Sequence, residues 1–256
     1  MIDIHCHLLP GLDDGPDTFE EALHLAESAI AQGITHLVAT PHANEEYFFD
    51  YARARELRDA LQARLGERLT LATGCDLHLN AENLAALRRD AAPFCLNQHD
   101  YLLVEFSSFS IPPSMDQTLH ELQLAGLHPI VTHPERNNIL RTQPERLRNW
   151  VRHGCYAQVT AGVLIGAFGS TAQRDAEDWI AQGLIHFVAS DSHDARRRPP
   201  LMKPACQAVE KLFGEEKARA LFCENPRAAF EGQALPHVPE VAEHRSAPRR
   251  KRFFFF

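Results

Sequence analysis

The sequence predicts an α/β fold on parallel strands, a distorted seven-stranded barrel formed as a single domain. Three observations predict it. Short apolar runs alternate with longer amphipathic segments along the 256 residues. Glycines stand where those segments should end. The apolar runs number seven rather than the eight of a regular (β/α)8 barrel. Such alternation implies parallel strands joined by right-handed crossovers. An open doubly wound sheet is the rival arrangement.

The strands are expected at residues 1–4, 36–40, 70–74, 101–106, 129–132, 157–160 and 186–190. The first helix, over 17–32, opens on Asp17-Thr18 with Glu20 three residues beyond Asp17. It carries Ala22, Leu23, Leu25, Ala26, Ala29 and Ile30 on one broad face and stops at Gly33. Similar patterns fill 49–65, 81–89, 114–125, 144–153, 171–182 and 204–213, with Gly126, Gly154 and Gly183 at expected C-caps. From Pro236 the composition changes to three prolines, then Arg249-Arg250-Lys251-Arg252 and four phenylalanines. The expectation is a globular domain over 1–233 and a disordered tail over 234–256. Contact of that basic, aromatic tail with an anionic membrane surface is the less favoured reading.

Composition excludes several classes. A net charge of −8 argues against a nucleic-acid partner, which needs a basic face. No run of 18 apolar residues is present, and Met1-Ile2-Asp3 opens no secretory signal, so a cytoplasmic protein is expected. Six cysteines without a Cys-x-x-Cys pair are expected to be reduced thiols, mostly buried. Fifteen histidines are the outlying number.

Those histidines, together with carboxylates, recur at strand ends. The first strand leads to His5 and His7, whose i, i+2 spacing puts both imidazoles on one side of an extended chain. Asp13-Asp14-Gly15 follows. The second strand leads to His42, the third to Asp76, the fourth to Glu105, the fifth to His133 and the seventh to Asp191 and His193. In a parallel barrel all strand C-termini share one face. One histidine at a strand end has a bland explanation; acids or imidazoles at six of seven do not. Buried acids need a partner. Five imidazoles with four carboxylates are too many ligands for one tetrahedral ion and suit a cluster of two or three. Mixed nitrogen and oxygen ligands without thiolates favour Mn²⁺, Zn²⁺ or Fe²⁺. Arg136 and Arg198 lie close in sequence to His133 and His193, and guanidinium groups there suit the outer oxygens of a phosphate.

Taken together, Asp-Ile-His-Cys-His…Asp-Asp-Gly at 3–15, Thr-Pro-His at 40–42, Val-Glu-Phe at 104–106, Thr-His-Pro-Glu-Arg at 132–136 and Ala-Ser-Asp-Ser-His at 189–193 resemble the PHP (polymerase and histidinol phosphatase) superfamily. The Asp-Asp-Gly-Pro run, His-Pro-Glu-Arg and Arg-Pro-Pro at 198–200 are similar to its bacterial tyrosine-protein phosphatases of capsule and exopolysaccharide operons. The likeness runs from residue 1 to about 233. It implies a distorted (β/α)7 barrel of the PHP fold and three divalent ions, usually manganese. By this resemblance one ion takes His5, His7, Asp76 and Asp191. A second shares Asp76 and adds Glu105 and His133, and a third takes Asp14, His42 and His193. Arg136 and Arg198 hold the phosphate. One position departs: where the family has a glutamate after the third strand, this chain has Asp76, one methylene shorter. The implied substrate is a phosphotyrosine protein, an autophosphorylated bacterial tyrosine kinase of polysaccharide export.

The chemistry expected of such a cluster is hydrolysis of a phosphomonoester. None of the six cysteines has an arginine six positions later, as a cysteine-nucleophile phosphatase would. The rivals are a small-molecule phosphatase of histidinol-phosphate type and a metal-binding regulator whose catalysis Asp76 has weakened. The sequence sets no oligomeric state.

Overall fold

The computed structural model describes residues 1–242. Nine short strands run through its centre: β1 (Ile2–Cys6), β2 (His36–Ala39), β3 (His42–Ala43), β4 (Thr70–Thr73), β5 (Asp76–His78), β6 (Tyr101–Glu105), β7 (His128–Thr132), β8 (Tyr156–Thr160) and β9 (Phe187–Ala189). All pairings are parallel, in the orders β1-β2-β4 and β3-β5-β6-β7-β8-β9. These nine are the seven expected strands with two of them broken. The second breaks at Thr40-Pro41, where proline has no N–H for the ladder. The third breaks at Gly74-Cys75. Pairing continues across both breaks, through Gly74 N–H to Ala39 O at 2.9 Å and Asp76 N–H to Pro41 O at 3.1 Å. At the far side Asp191 N–H donates to His5 O at 2.8 Å and His7 N–H to Ser192 O at 2.9 Å. The hydrogen-bonded path thus returns from β9 to β1, as a distorted (β/α)7 barrel requires.

Helices surround the strands: α1 (Phe19–Ala31), α2 (Tyr51–Leu65), α3 (Ala81–Arg89), α4 (Met115–Leu124), α5 (Asn138–Thr142), α6 (Pro144–Arg152), α7 (Ser170–Ala181), α8 (Met202–Phe213), α9 (Glu215–Arg219) and α10 (Asn225–Phe230). The short α5, α9 and α10 were not expected; five or six residues are too few to show a 3.6 period. Helix α1 starts one residue later than its expected capping pair. Thr18 Oγ1 accepts from Glu21 N–H at 3.2 Å, and Glu21 Oε2 accepts from Thr18 N–H at 3.1 Å.

Along the strands the side chains alternate between two environments. Leu102, Val104, Val131, Ala157 and Val159 pack outward in the large core beneath the helices. Ile2, Ile4, Val38, Ala72, Tyr101, Leu103, Ile130 and Phe187 form a second, inner cluster that plugs the N-terminal half of the barrel. The inward rows then change character. Tyr101 and Leu103 lead to Glu105, Ile130 to Thr132, Tyr156 to Gln158, and Phe187 and Ala189 to Asp191. The apolar plug forms the floor and this polar layer the site above it.

The expected domain boundary at 233 falls within packed structure. Tyr101 Oη donates to Gln233 O at 2.7 Å, His237 N–H to Asn225 Oδ1 at 3.1 Å, and Ala242 N–H to Gln182 O at 3.0 Å. Buried Arg148 donates to Ala242 O at 3.2 Å. Packed chain thus continues past 233, with the backbone of His237 and Ala242 hydrogen-bonded to Asn225, Gln182 and Arg148. The Arg/Lys run and the terminal phenylalanines lie outside the described residues. Among the described residues no helix is long and apolar enough to cross a membrane.

Candidate metal centre

Local backbone irregularities aim the site. Between Asp3 and Cys6 the register of β1 against β2 slips, a bulge that changes which face the next side chains address. Ile2 and Ile4 pack in the barrel plug, yet His5 also turns inward and reaches Gln158. The Asp13-Asp14-Gly15 turn folds back onto His7. A Cβ at Gly15 would meet His7 O at 2.4 Å, so only glycine permits this approach. His133 (φ +32°) and Asp191 (φ +49°) both sit in the left-handed region, uncommon for non-glycine residues and characteristic of functional sites.

The structure brings together all nine residues expected as ligands. His5 Nε2 lies 3.2 Å from His7 Nε2, 3.4 Å from Asp76 Oδ2 and 3.7 Å from Asp191 Oδ1. Asp76 Oδ2 lies 3.5 Å from His42 Nδ1 and 3.8 Å from His133 Nε2. Glu105 faces His42 at 3.3 Å and His133 at 3.6 Å. Asp14 Oδ1 faces His193 at 3.2 Å and His42 at 3.6 Å. Three groups could each hold an ion: His5, His7 and Asp76; His42, Asp76 and Glu105; and His7, Asp14, His42 and His193. His42 joins the second and third groups and His7 the first and third, while Asp191, expected in the first set, and His133, expected in the second, lie beside these groups rather than within them. Asp76, despite its shorter side chain, stands at the junction of the first two.

These spacings fit cations. Two ligands of a tetrahedral ion at about 2.1 Å lie about 3.4 Å apart. Most of these contacts are too long for strong hydrogen bonds, and Asp76 Oδ2, His42 Nδ1 and His193 Nε2 are buried without a hydrogen-bond partner among the described residues. Proton placement agrees. Gln158 Oε1 stands 3.0 Å from His5 Nδ1, Asp13 Oδ2 2.6 Å from His7 Nδ1, and Asp191 O 3.1 Å from His193 Nδ1. Each acceptor fixes the ring proton on Nδ1 and turns the Nε2 lone pair into the cluster. In that tautomer the Nε2 atoms of His5 and His7 are two lone pairs 3.2 Å apart, a repulsion that a shared cation converts to attraction.

The carboxylates are anionic. Burial opposes ionisation of Asp191, but Arg136, His7 and His5 outweigh it and hold the carboxyl well below its usual range. Asp76 behaves likewise under His5, His133 and His42. Burial pushes His193 down to about 4, with His7 adding to the effect, so its imidazole is neutral. Burial also disfavours a charged His7, but Asp13 and Asp191 outweigh it and raise its affinity for a proton. Protons and divalent cations compete for this negative pocket.

Asp191 divides its two oxygens. Oδ1 faces His5, His7 and His193, while Oδ2 accepts from Arg136 Nη1 and, at 2.8 Å, from Arg198 Nη2. Both expected arginines therefore stand at the edge of the cluster. Among the described residues Arg198 Nε has no hydrogen-bond partner. None of the three groups includes a thiol. Burial holds Cys6 and Cys75 well above the normal thiol range and pushes Cys95 and Cys155 up to about 12.

The model of the family described as capsular polysaccharide synthesis, CpsB/CapC, matches residues 1–231. The chain belongs to the CpsB/CapC family. It is 35% identical over 263 aligned positions to the tyrosine-protein phosphatase YwqE of Bacillus subtilis, covering all of both chains. It is 29% identical to the tyrosine-protein phosphatase CpsB of Streptococcus pneumoniae, covering 92% of this chain and all of that one. A solved structure described among the metal-dependent tyrosine phosphatases YwqE and CpsB superposes with a TM-score of 0.88 at 34% identity, covering 95% of this chain and all of the other. Histidinol phosphate phosphatase from Lactococcus lactis shares the fold at 14% identity, with a TM-score of 0.56 and 86% and 95% of the two chains covered.

This CpsB/CapC chain also holds site residues outside the nine expected ligands. Asp13 accepts from His7 and from His42 N–H at 3.0 Å. Gln158, on the one strand expected to contribute nothing, orients His5. Its signal was a glutamine within an otherwise small and apolar strand. His78 lies 2.9 Å from Glu105 Oε2, and Thr132 Oγ1 donates to Asp76 Oδ1 at 3.2 Å.

Proposed function

We propose that this chain is a metal-dependent protein-tyrosine phosphatase whose nine clustered ligands hold three divalent ions, manganese first among them. The observation that carries the reading is Asp191, one carboxylate shared between an imidazole-rich cluster and two arginines. When bound, the cations supply Lewis acidity and lower the pKa of a coordinated water towards ~7. Arg136 and Arg198 present their remaining N–H donors to the phosphate oxygens and stabilise charge as the ester breaks. Gln158 and Asp13 keep His5 and His7 in the ligating tautomer. A tyrosine leaving group, of pKa about 10, needs less protonation than an alkyl alcohol.

The family's part in capsular polysaccharide synthesis supports a phosphorylated tyrosine kinase of polysaccharide export as the substrate. Six free cysteines, four of them buried, support action in the reducing cytoplasm. The test is turnover of a phosphotyrosine peptide after chelation, remetallation with Mn²⁺ and thiol alkylation. Chelation should abolish turnover, Mn²⁺ restore it and alkylation leave it intact. Alkylation-sensitive, chelator-resistant activity overturns the proposal. A higher kcat/KM on histidinol phosphate would favour the small-molecule reading.

A further inference from the structure

We propose that Phe168 is the platform on which the aromatic ring of the substrate lies, and that it selects aryl over alkyl phosphate esters. This rests on the reading of Arg136 and Arg198 as the phosphate clamp. The Arg136 guanidinium stands over the Phe168 ring, 4.7 Å from its centroid. A cavity of about 120 Å³ opens beside it, lined by Gly162, Phe168, Asp191, Arg198, Pro199 and Leu201 among others. Charged walls from the phosphate end of the site thus meet apolar walls within one small space. Its size suits a fragment, since sites for whole drug-sized ligands start at about 300 Å³.

Phe168 is 40% exposed although it lies beside a buried site. It follows β8 in a loop that fixes its position. Gly166 N–H donates to Val163 O at 3.0 Å, Ala167 N–H to Gly162 O at 3.0 Å, and Gly169 N–H to Gly166 O at 3.1 Å. Gly162 makes room for the ring, since a Cβ there would meet Phe168 Cε2 at 3.1 Å. A rigid, half-exposed aromatic under a guanidinium offers stacking to an incoming ring at little entropic cost. An ester whose phosphate is held by Arg136 and Arg198 has this surface at hand for its leaving group. An alkyl ester of serine or threonine has no ring to lay there.

The experiment compares the Mn²⁺-loaded wild type with Phe168→Ala, Phe168→Trp and Gly162→Ala. Each is assayed for kcat/KM on a phosphotyrosine peptide and on the same peptide carrying phosphoserine, with metal content measured in parallel. The ratio between the two substrates is read against wild type, which cancels the intrinsic difference between leaving groups. Phe168→Ala should lower that ratio by about threefold to tenfold. Phe168→Trp should keep it, and Gly162→Ala should lower it with Phe168 still present. Equal losses on both peptides, or no change in the ratio, overturn the platform. A wild type that turns over neither peptide while fully metallated refutes the phosphatase reading instead.

Discussion

Replacing Gln158 by leucine removes the acceptor of His5 while keeping side-chain bulk close to that of the amide. Both residues are completely buried, and their bond is 3.0 Å long. Without the amide oxygen, His5 has two choices. It can keep its proton on Nδ1, unsatisfied, at a cost of about 1–3 kcal/mol. Alternatively it can move the proton to Nε2, which forfeits the lone pair that faces His7, Asp76 and Asp191. Only the first form binds metal, so the penalty appears in metal affinity as a loss of about 5- to 150-fold. That matches the ~10–100-fold typical of losing a partner behind a metal-ligating histidine. Calorimetric titration of metal-stripped protein with Mn²⁺ measures it. Gln158→Glu keeps an acceptor on Nδ1 and should bind more tightly than the leucine variant. An unchanged Mn²⁺ isotherm in folded Gln158→Leu would refute the tautomer argument.

Four further outcomes are expected. Asp76→Asn removes the charge shared by two of the candidate groups, so metal content per chain should drop and activity with it; full metal retention would contradict the junction seen here. Asp76→Glu adds a methylene to a fully buried position that Thr132 already bonds, at a cost of about 1–3 kcal/mol, visible as a lower Tm. Arg136→Ala should reduce kcat/KM on phosphotyrosine peptide by about 10²–10³-fold with little loss of metal; a loss below threefold would remove it from the phosphate clamp. His186, buried at the barrel's lower end, is pushed down to about 4 by desolvation, with Lys217 adding to the shift. The unfolded chain, titrating near 6.5, binds more protons between these values, so the contribution is full above about pH 6.5 and is lost as pH falls towards 4. At pH 5 the loss is about 2 kcal/mol, and urea midpoints at pH 7.5 and 5 should converge more in His186→Gln than in wild type. Equal pH dependence in the two proteins would sink that account.

The sequence by itself determined the alternation of strands and helices and the residues delivered at the strand ends. Both are local. A period of two or 3.6 is written in neighbouring residues, and parallel strands bring their C-terminal ends to one face whatever their order. His5, His7, His42, His133, His193 and the four acids could therefore be named before any contact was known. The tertiary structure decided what depends on distant partners. It broke the second and third strands at Thr40-Pro41 and Gly74-Cys75 and bulged β1 so that His5 turns inward after Ile4. It packed 234–242 back onto the barrel. It also recruited Gln158 from 153 residues away to set a single proton on His5. No periodicity records such a pairing, because its energy comes from burying two polar groups together, and only the folded sheet brings them within reach of one another.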